Sequence, residues 1–479
     1  MAFMKRLKLP SVELYNTHGL SADTKHALRM VIVAAMFGNA FSIISSSAAW
    51  TGFQRALGAN SMQMGLLSAI PVAASVIQIF ASFVLEKHMN RRTLLLVFGL
   101  IHRASWILIG LTPLIFPESM IEARLYAVMV LLAAASCGAA FLNVSFYSLV
   151  GDVVPLRIRG SYFSVRQIFL TATGIVAGLG VGVLVDAVEG MNGYVLSLVL
   201  GGICGCMDVC CYFFIKWPPM QQRESTGESF FRMLREVLQN RAYMRVVGYF
   251  TLWFFAVNIM SPFLNVFLLE EVRMSYVEIA IYNQIVPNLA TILVIGWWGR
   301  QMDRFGNRPV VQTVGIYCMI LPLTFLFLGP RSFLLLPFAN ILNGMCFPAS
   351  DLGQQNMYLA AAPARNRSMY VAVFFACTQL MGQALSNFVG GALMDGALAR
   401  LETVTPVIAG MRFDRYDYIF ILSAVLRCIC VLGLLPRLRT EQETPAWQMV
   451  RTLALEKREA LSRRRLAAKA RRLRRKFNR

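Results

Sequence analysis

The sequence predicts an all-α multi-pass membrane protein with twelve transmembrane helices in two pseudo-symmetric six-helix bundles. Of the 479 residues, 57% are hydrophobic and only 15% are charged, which is far too apolar for a soluble protein of this size. Twelve apolar runs reach about 20 residues, the length that crosses the hydrocarbon core of a bilayer. Two polar motifs also recur in the same order at nearly the same offset, which indicates a duplicated chain.

The apolar runs divide the chain into five regions. The first six runs lie near residues 28–53, 62–85, 93–116, 122–150, 163–186 and 192–216, and the second six near 243–269, 275–298, 309–329, 333–358, 369–395 and 416–436. We therefore expect a cytoplasmic N-terminal segment (1–27), an N-terminal bundle (28–216), a cytoplasmic linker containing an amphipathic helix (217–242), a C-terminal bundle (243–436) and a basic cytoplasmic tail (437–479).

The most specific motif is a short basic loop after the eighth run. It reads Gly-x-x-x-Asp-Arg-x-Gly-x-Arg, with Gly299, Asp303, Arg304, Gly306 and Arg308 at the named positions. The second glycine permits the positive φ of a tight turn, and the arginines hold the loop on one side of the bilayer. The aspartate is an acceptor for these arginines or for the N-terminus of a neighbouring helix.

A partial copy of this loop lies 217 residues earlier, at Ser82, Glu86, Lys87 and Arg91. It keeps the acid, the base and the final arginine, but Ser82 and Met89 stand where glycines are expected.

A second motif, Pro-x-Arg-x-Arg-x-x-Tyr, begins at Pro155 and ends at Tyr162. The same pattern begins at Pro363 and ends at Tyr370, 208 residues later. Basic loops between membrane helices often look alike, but two motifs in the same order favour two homologous halves of about two hundred residues.

The loop signature resembles that of the major facilitator superfamily of secondary transporters, which carries it after the second and the eighth helix. The resemblance covers nearly the whole chain from 28 to 436, with a complete signature in the second half and a partial one in the first. It implies transport by alternating access, with the two bundles rocking about a central site. It also implies a conformational gate that does no chemistry, formed by Glu86, Lys87, Arg91, Gly299, Asp303, Arg304, Gly306 and Arg308.

Lysine and arginine concentrate in the N-terminal segment, the linker, the tail and alternate loops. The remaining loops are neutral or acidic, apart from Arg400, Arg412 and Arg415 before the last run. Because basic loops stay on the cytoplasmic side, we expect both termini in the cytoplasm and the chain in the plasma (inner) membrane.

Polar side chains inside the spans are costly to place in lipid and should face the bundle interior. In the resembled family, helices 1, 4, 7 and 10 line the central cavity, and helices 5, 8 and 11 flank it here. The substrate-binding candidates on these helices are Asn39, Asn143, Tyr147, Arg166, Asn258, Asn265, Asn283, Asn343, Asp351, Gln355 and Gln383. Hydrogen bonding between helices is the alternative explanation for about half of such positions.

A lining of amides and hydroxyls suits a small polar solute such as a sugar or a related metabolite. A drug exporter is the alternative, although helix 5 contains Gly174, Gly178, Gly180 and Gly182 but no proline, so the Gly-Pro signature of many such antiporters is absent. A transport-inactive receptor or scaffold also remains open. A membrane-embedded enzyme is disfavoured, because the four histidines form no catalytic set. We expect a monomer with no cofactor and no metal site.

Charged residues within the spans include Arg103, Asp208, Asp351 and Arg427. Asp351 lies on a cavity helix, near its cytoplasmic end, and is the best candidate to carry a coupling proton. The alternative is a structural ion pair with Arg166 or a loop arginine. Arg103 and Asp208 lie at similar depths in helices 3 and 6, so they are expected to form a buried ion pair. Arg427 has no acid at its depth and is expected to extend toward the cytoplasm.

The formal net charge is +21, and the tail carries fifteen Lys or Arg and four Glu. Its leucines among arginines favour a basic helix against anionic lipid headgroups. The basic run contains no aromatic residue before Phe477, so we expect no nucleic-acid binding.

Overall fold

The computed structural model describes residues 20–88, 90–155, 158–217, 230–329, 335–363, 367–404, 413–438 and 445–456. Eleven helices in this part of the chain are long and apolar enough to cross a membrane. A twelfth, Leu335–Ala361, has 27 residues. It is less apolar because it carries Asn340, Asn343, Asp351 and Gln355. The prediction of twelve helices is confirmed.

The membrane helices are numbered in chain order. Helix 1 is Ala22–Ser46 continued by Ala48–Ala56, helix 2 is Ser61–Ala74 continued by Ile77–His88, helix 3 is Arg91–Ile115, helix 4 is Ile121–Val153, helix 5 is Arg159–Ala187 and helix 6 is Met191–Cys211. Helix 7 is Arg241–Asn258 continued by Ser261–Glu270, helix 8 is Tyr276–Ala280, the π-helical turn Ile281–Ile285 and Val286–Phe305, and helix 9 is Asn307–Thr324. Helix 10 is Leu335–Ala361, helix 11 is Arg367–Cys377, the π-helical Thr378–Ala384 and Leu385–Asp395, and helix 12 is Arg415–Cys428 and the π-helical Ile429–Leu434. The linker helix is Phe230–Gln239 and the tail helix is 446–456.

Local sequence signals explain where these helices begin and end. Helices 2 and 8, which are related by the duplication, both begin at a capping box, formed by Asn60 with Gln63 and by Ser275 with Glu278. Such a box satisfies backbone N–H groups that have no partner within the helix. Between helices 8 and 9, Gly306 adopts a φ of 91°, as predicted from the loop signature.

In the part of the chain that the structure describes, the two halves meet on one side of the molecule. We call the side that carries the Gly306 loop and the linker helix the basic side, and the other the opposite side. On the opposite side one buried cluster contains residues of both halves, such as Phe53 and Met64 with Phe263 and Met394. On the basic side, the described residues form separate clusters within each half. The chain is therefore closed on the opposite side and parted on the basic side.

A buried ion pair joins helices 3 and 6 in the N-terminal bundle. Arg103 Nη2 donates to Asp208 Oδ2 over 2.7 Å, and the two side chains are only 9% and 8% exposed. Room for the pair comes from two glycines, because a Cβ on Gly38 would lie 2.7 Å from Asp208 Oδ2 and one on Gly205 would lie 2.6 Å from Arg103 Cδ. The predicted pair is confirmed.

The buried arginine of helix 12 contradicts the sequence-based expectation. Arg427 is 1% exposed, and its Nη1 donates to the carbonyl oxygen of Cys318 over 2.8 Å. Its Nη2 faces the sulfur of Met260 at 3.8 Å. The guanidinium thus lies between helices 7 and 9 inside the C-terminal bundle, where a backbone carbonyl accepts from it, and the expectation that it extends to the basic side is wrong.

The tail helix packs on the C-terminal bundle. Met449 is fully buried in a cluster with Trp298, Met302 and Phe305 of helix 8. The leucines predicted to lie on lipid beyond this helix, from Leu461 onward, are outside the described residues.

Replacing one member of the buried ion pair should destabilise the protein strongly. Asp208→Asn leaves a buried arginine without its carboxylate, which costs about 3–5 kcal/mol. We expect a clear fall in the thermal unfolding temperature of the purified protein. Arg103→Met combined with Asp208→Asn removes both charges and should be more stable than Asp208→Asn alone. A double variant as unstable as the sum of the two single variants would show that the pair does not act as a unit.

Candidate transport site and gates

Two aspartates close the opposite side by bonding to helix N-termini of the other half. Asp186, at the end of helix 5, accepts from the backbone N–H groups of Tyr276 and Val277 at the start of helix 8, over 3.1 and 3.0 Å. Each contact places a carboxylate where the helix N-terminus carries partial positive charge and unpaired donors.

The duplicated half repeats this contact in the other direction. Asp395, at the end of helix 11, accepts from the N–H groups of Ser61 and Met62 at the start of helix 2, over 3.2 and 2.6 Å. Each half therefore caps one helix of the other half.

A glycine one turn before each aspartate lets the helices approach. A Cβ on Gly182 would lie 3.0 Å from the Cα of Val277, and a Cβ on Gly391 would lie 2.6 Å from the carbonyl oxygen of Ser61. In contrast, a Cβ on Gly180 in the same helix 5 would meet nothing within 4 Å. Gly65 in helix 2 is a further close contact between the halves, because a Cβ there would lie 2.4 Å from the carbonyl oxygen of Asn387.

Sequence analysis named Gly182 among the glycines of helix 5 but missed Asp186, Gly391 and Asp395, although the sequence carries a signal for them. The patterns that begin at Gly182 and at Gly391 are 209 residues apart, one more than the offset between the repeated tyrosines. The extra residue falls where helix 11 contains the π-helical segment Thr378–Ala384. Such a segment accommodates one inserted residue within an α-helix. A search for repeats that allowed one insertion would have found both patterns.

Weaker polar contacts surround the two caps. Arg55 in helix 1 makes a bidentate ion pair with Glu270 in helix 7, at 2.6 and 3.0 Å, and both side chains are about one-third exposed. Among the predicted substrate residues, Asn265 Nδ2 lies 3.5 Å from Thr51 Oγ1 across the two halves. Such a partly exposed pair contributes about 0–1 kcal/mol, and it adds to the two caps on the same side.

On the basic side, the predicted gate arginines are bound within their own halves. Arg91 is buried and makes an ion pair with Asp152 at the end of helix 4. Arg308 Nη2 donates to the carbonyl oxygen of Pro436 over 2.6 Å. The side chains of Glu86 and Lys87 lie outside the described part of the structure.

The remaining gate residues lie at the end of helix 8. Arg304 makes a bidentate ion pair with Glu456 of the tail helix, at 2.6 and 3.1 Å, and this contact holds the pKa of Glu456 below its ordinary value. Asp303 is exposed, and a Cβ on Gly299 would meet nothing within 4 Å. In the Gly-x-x-x-Asp pattern of helix 8, from Gly299 to Asp303, the glycine therefore has open space beside it and the aspartate caps no other helix among the described residues in this conformation.

Several predicted substrate residues contact neighbouring helices. Asn39 Nδ2 donates to the carbonyl oxygen of Leu170 in helix 5 over 2.8 Å. Asn258 is almost buried and donates to Phe254 of its own helix over 2.9 Å, next to the break in helix 7. These two amides have structural partners, as the alternative explanation from helix packing predicts.

Other predicted residues keep polar groups without a partner. Asn283 accepts from Asn340 Nδ2 over 2.9 Å, and one turn along helix 10 the buried Oδ1 of Asn343 has no hydrogen-bond partner among the described residues. The same holds for the buried Nε of Arg166, whose guanidinium carbon lies 5.7 Å from the ring centroid of Phe146. These groups are available to bind a polar ligand.

The rest of the predicted set is half-buried or exposed. Tyr147 is 71% exposed, Asp351 and Gln355 are exposed, and Asn143 and Gln383 are half-buried. Asp351 has no ion-pair partner within the described ranges.

Two six-helix halves that meet on one side and part on the other define a membrane transporter. The family model of the Major Facilitator Superfamily matches residues 30–297 and 283–471. The chain belongs to this superfamily, and it is a secondary transporter of a small solute. No curated protein sequence gives a match.

Solved structures share the fold at low sequence identity. The nucleoside transporter NupG aligns with a TM-score of 0.64 at 13% identity, covering 88% of this chain and 100% of NupG. A bacterial homologue of the human lysosomal transporter Spinster, inward-facing and occupied, gives 0.65 at 16% identity over 88% and 98% of the two chains. The xylose transporter XylE from E. coli, partially occluded and inward-open, gives 0.60 at 11% identity over 88% and 100%.

Enlarging a gate glycine should prevent closure of the opposite side. In Gly182→Val the added side chain overlaps the backbone at Val277, so the closed conformation should be strongly disfavoured. Asp186→Asn removes the charge from the cap and should shift the equilibrium by about 1.5 kcal/mol, close to tenfold. A cysteine placed at Asn265 in a cysteine-free background reports opening through its rate of modification by a membrane-impermeant maleimide.

Gly180→Val is the matched control, because it adds the same side chain to the same helix at a position with open space. We expect it to leave the modification rate unchanged. Equal rates for the two valine variants would contradict the assignment of Gly182 to the gate.

Proposed function

We propose that this protein is a secondary active transporter that moves a small polar organic solute by alternating access. The observation that carries this proposal is the one-sided closure, in which one buried cluster joins both halves on the opposite side while each half keeps its own cluster on the basic side. The excess of Lys and Arg assigns the basic side to the cytoplasm of a plasma membrane, with both termini there. The conformation is then inward-facing.

Two unpaired polar groups, on helices 5 and 10, support a polar solute. A buried amide oxygen on Asn343 and a buried Nε on Arg166 lack partners among the residues that the structure describes. An unsatisfied buried polar group costs about 1–3 kcal/mol, and a ligand with hydroxyl or amide groups would remove that cost. The substrates named for NupG and XylE, a nucleoside and xylose, are polar solutes of this kind.

Asp351 is the proposed site for a coupling proton. It lies in helix 10, about 15 Å from the basic end of that helix at 1.5 Å per residue, and it is exposed with no basic partner in the described ranges. A carboxyl group at such a position can bind and release a proton as its surroundings alternate between the two sides.

The open Gly-x-x-x-Asp pattern in helix 8 is the proposed gate of the basic side. The pair formed by helices 5 and 8 already shows the contact once, where Asp186 caps helix 8. Asp303 lies at the other end of helix 8, on the side where helix 5 begins at Arg159. When the basic side closes, Asp303 would cap helix 5, and Gly299 would supply the space for close approach. In helix 2, Ser82 and Glu86 are four residues apart, as Gly299 and Asp303 are. Glu86 would cap helix 11 in the same way.

The solute class can be tested by thermal-shift screening of the purified protein against sugars, nucleosides, organic acids and hydrophobic cations, because a ligand that binds the folded state raises its apparent stability. We expect hits among neutral polar solutes. Asn343→Ala should weaken binding about tenfold, since one buried hydrogen bond is lost. Asn356→Ala is the control, because this asparagine lies on the same helix and bonds Asn307 instead.

Other results would change the assignment. Hits confined to hydrophobic cations would make the protein a drug exporter. Binding without flux in proteoliposomes would make it a receptor, and the transport proposal would then be wrong.

The two gate aspartates should have opposite effects on the conformational equilibrium. Asp303→Asn weakens the cap proposed for the outward-facing state and should stabilise the inward-facing one, while Asp186→Asn should do the reverse. Distances between spin labels on helices 2 and 11 at the basic side report the equilibrium. Arg300→Gln, one turn from Arg304, is a control expected to have little effect. A shift in the same direction for both aspartate variants would refute the proposed gate.

A further inference from the structure

A cleft of about 1000 Å³ lies between the basic half of helix 9, the end of helix 12 and the tail helix. Its charged lining residues are Arg308, Arg437 and Arg451, and the lining includes no acidic side chain among the residues that the structure describes. Arg437 and Arg451 are exposed and make no hydrogen bond or ion pair within the described ranges. The cleft is therefore a site of concentrated positive charge.

The tail helix supplies one wall of this cleft. Trp447, Val450, Arg451 and Ala454 line it, and their spacing of three and four residues places them on one helix face. Met449 lies on the other face and is buried against the bundle, which fixes the orientation of the helix. Trp447 is 64% exposed, and tryptophan is typical of the interface between membrane and water.

Helix 9 supplies a second wall that changes from polar to apolar. Arg308, Gln312 and Ile316 line the cleft, and Ile320 continues the same i, i+4 row. The two isoleucines are 43% and 46% exposed. This row runs about 18 Å from the basic end into the membrane-spanning part of the helix. A charged end followed by an apolar stripe matches a phospholipid, with its headgroup at the arginines and an acyl chain along the isoleucines.

We propose that this cleft is a binding site for the headgroup of an anionic phospholipid. A phosphate suits guanidinium groups because it accepts several charge-assisted hydrogen bonds. Arg308 belongs to the gate loop and Arg451 to the tail helix, so a headgroup bound between them joins the tail to the gate loop. Arg304 and Glu456 make a second connection between the same two segments.

The test uses the full-length protein purified in detergent, with three probes: a short-chain phosphatidylglycerol, the matching phosphatidylcholine, and inorganic phosphate. Binding is measured by native mass spectrometry and by titration. We expect phosphatidylglycerol to bind and the zwitterionic lipid to bind at least tenfold more weakly. Arg437→Gln combined with Arg451→Gln should lower the affinity for phosphatidylglycerol by tenfold or more.

Arg232→Gln combined with Arg235→Gln is the matched control, because it removes the same charge from exposed positions on the linker helix. We expect this pair to change the affinity less than threefold. If the two double variants lost the same amount of affinity for phosphatidylglycerol, the lipid would be attracted to the basic chain as a whole, and the proposed site would be wrong. If inorganic phosphate displaced phosphatidylglycerol completely, the cleft would be a site for a soluble anion, and the proposal of a lipid site would be wrong. Ile316→Ser should weaken the binding of phosphatidylglycerol and leave the binding of inorganic phosphate unchanged, because only the lipid has an acyl chain.

Discussion

The constraint on which the closed side depends is that backbone N–H groups at helix N-termini have no partner within their own helix and need another acceptor. Within a single half, the starts of helices 2 and 8 are only partly satisfied by their own capping boxes. Asp395 and Asp186 complete them from the other half. In the open state, water must take the place of each carboxylate. Closure therefore exchanges water for a carboxylate as the acceptor of these N–H groups. Because one acceptor replaces another, the free-energy difference between the two states is small enough for a solute to shift the equilibrium.

This device requires small residues, because a carboxylate on a short side chain reaches a neighbouring helix only if the two backbones nearly touch. Gly182 and Gly391 meet that requirement on the opposite side. On the basic side helix 8 has the glycine, but helix 2 has Ser82 at the corresponding position. Helices 2 and 11 should therefore approach less closely than helices 5 and 8 when that side closes. The duplication is symmetric in its helices and asymmetric in its gates.

Sequence analysis could predict features that depend on short-range patterns. The twelve helices follow from apolar runs, the turn at Gly306 from one glycine, and the Arg103 and Asp208 pair from similar depths in two helices. Contacts between halves could not be found in the same way, because Asp186 and Asp395 resemble ordinary residues at helix ends until the partner helix is located. The position of Arg427 was predicted wrongly because the sequence shows only which acidic residues lie at a similar depth. It does not show that the backbone carbonyl of Cys318 faces the guanidinium.

The tail helix lies against the end of helix 8 that carries the proposed gate of the basic side. It contacts the C-terminal half through Met449 and through the pair between Glu456 and Arg304. Arg304 follows Asp303 directly, so a helix that holds the arginine restrains the end of helix 8, which must move when the basic side closes. The N-terminal half has its own restraint in the pair between Arg91 and Asp152, which lies within that half. The tail is thus placed to act on the proposed contact of helix 8, while Asp186 and Asp395 close the opposite side.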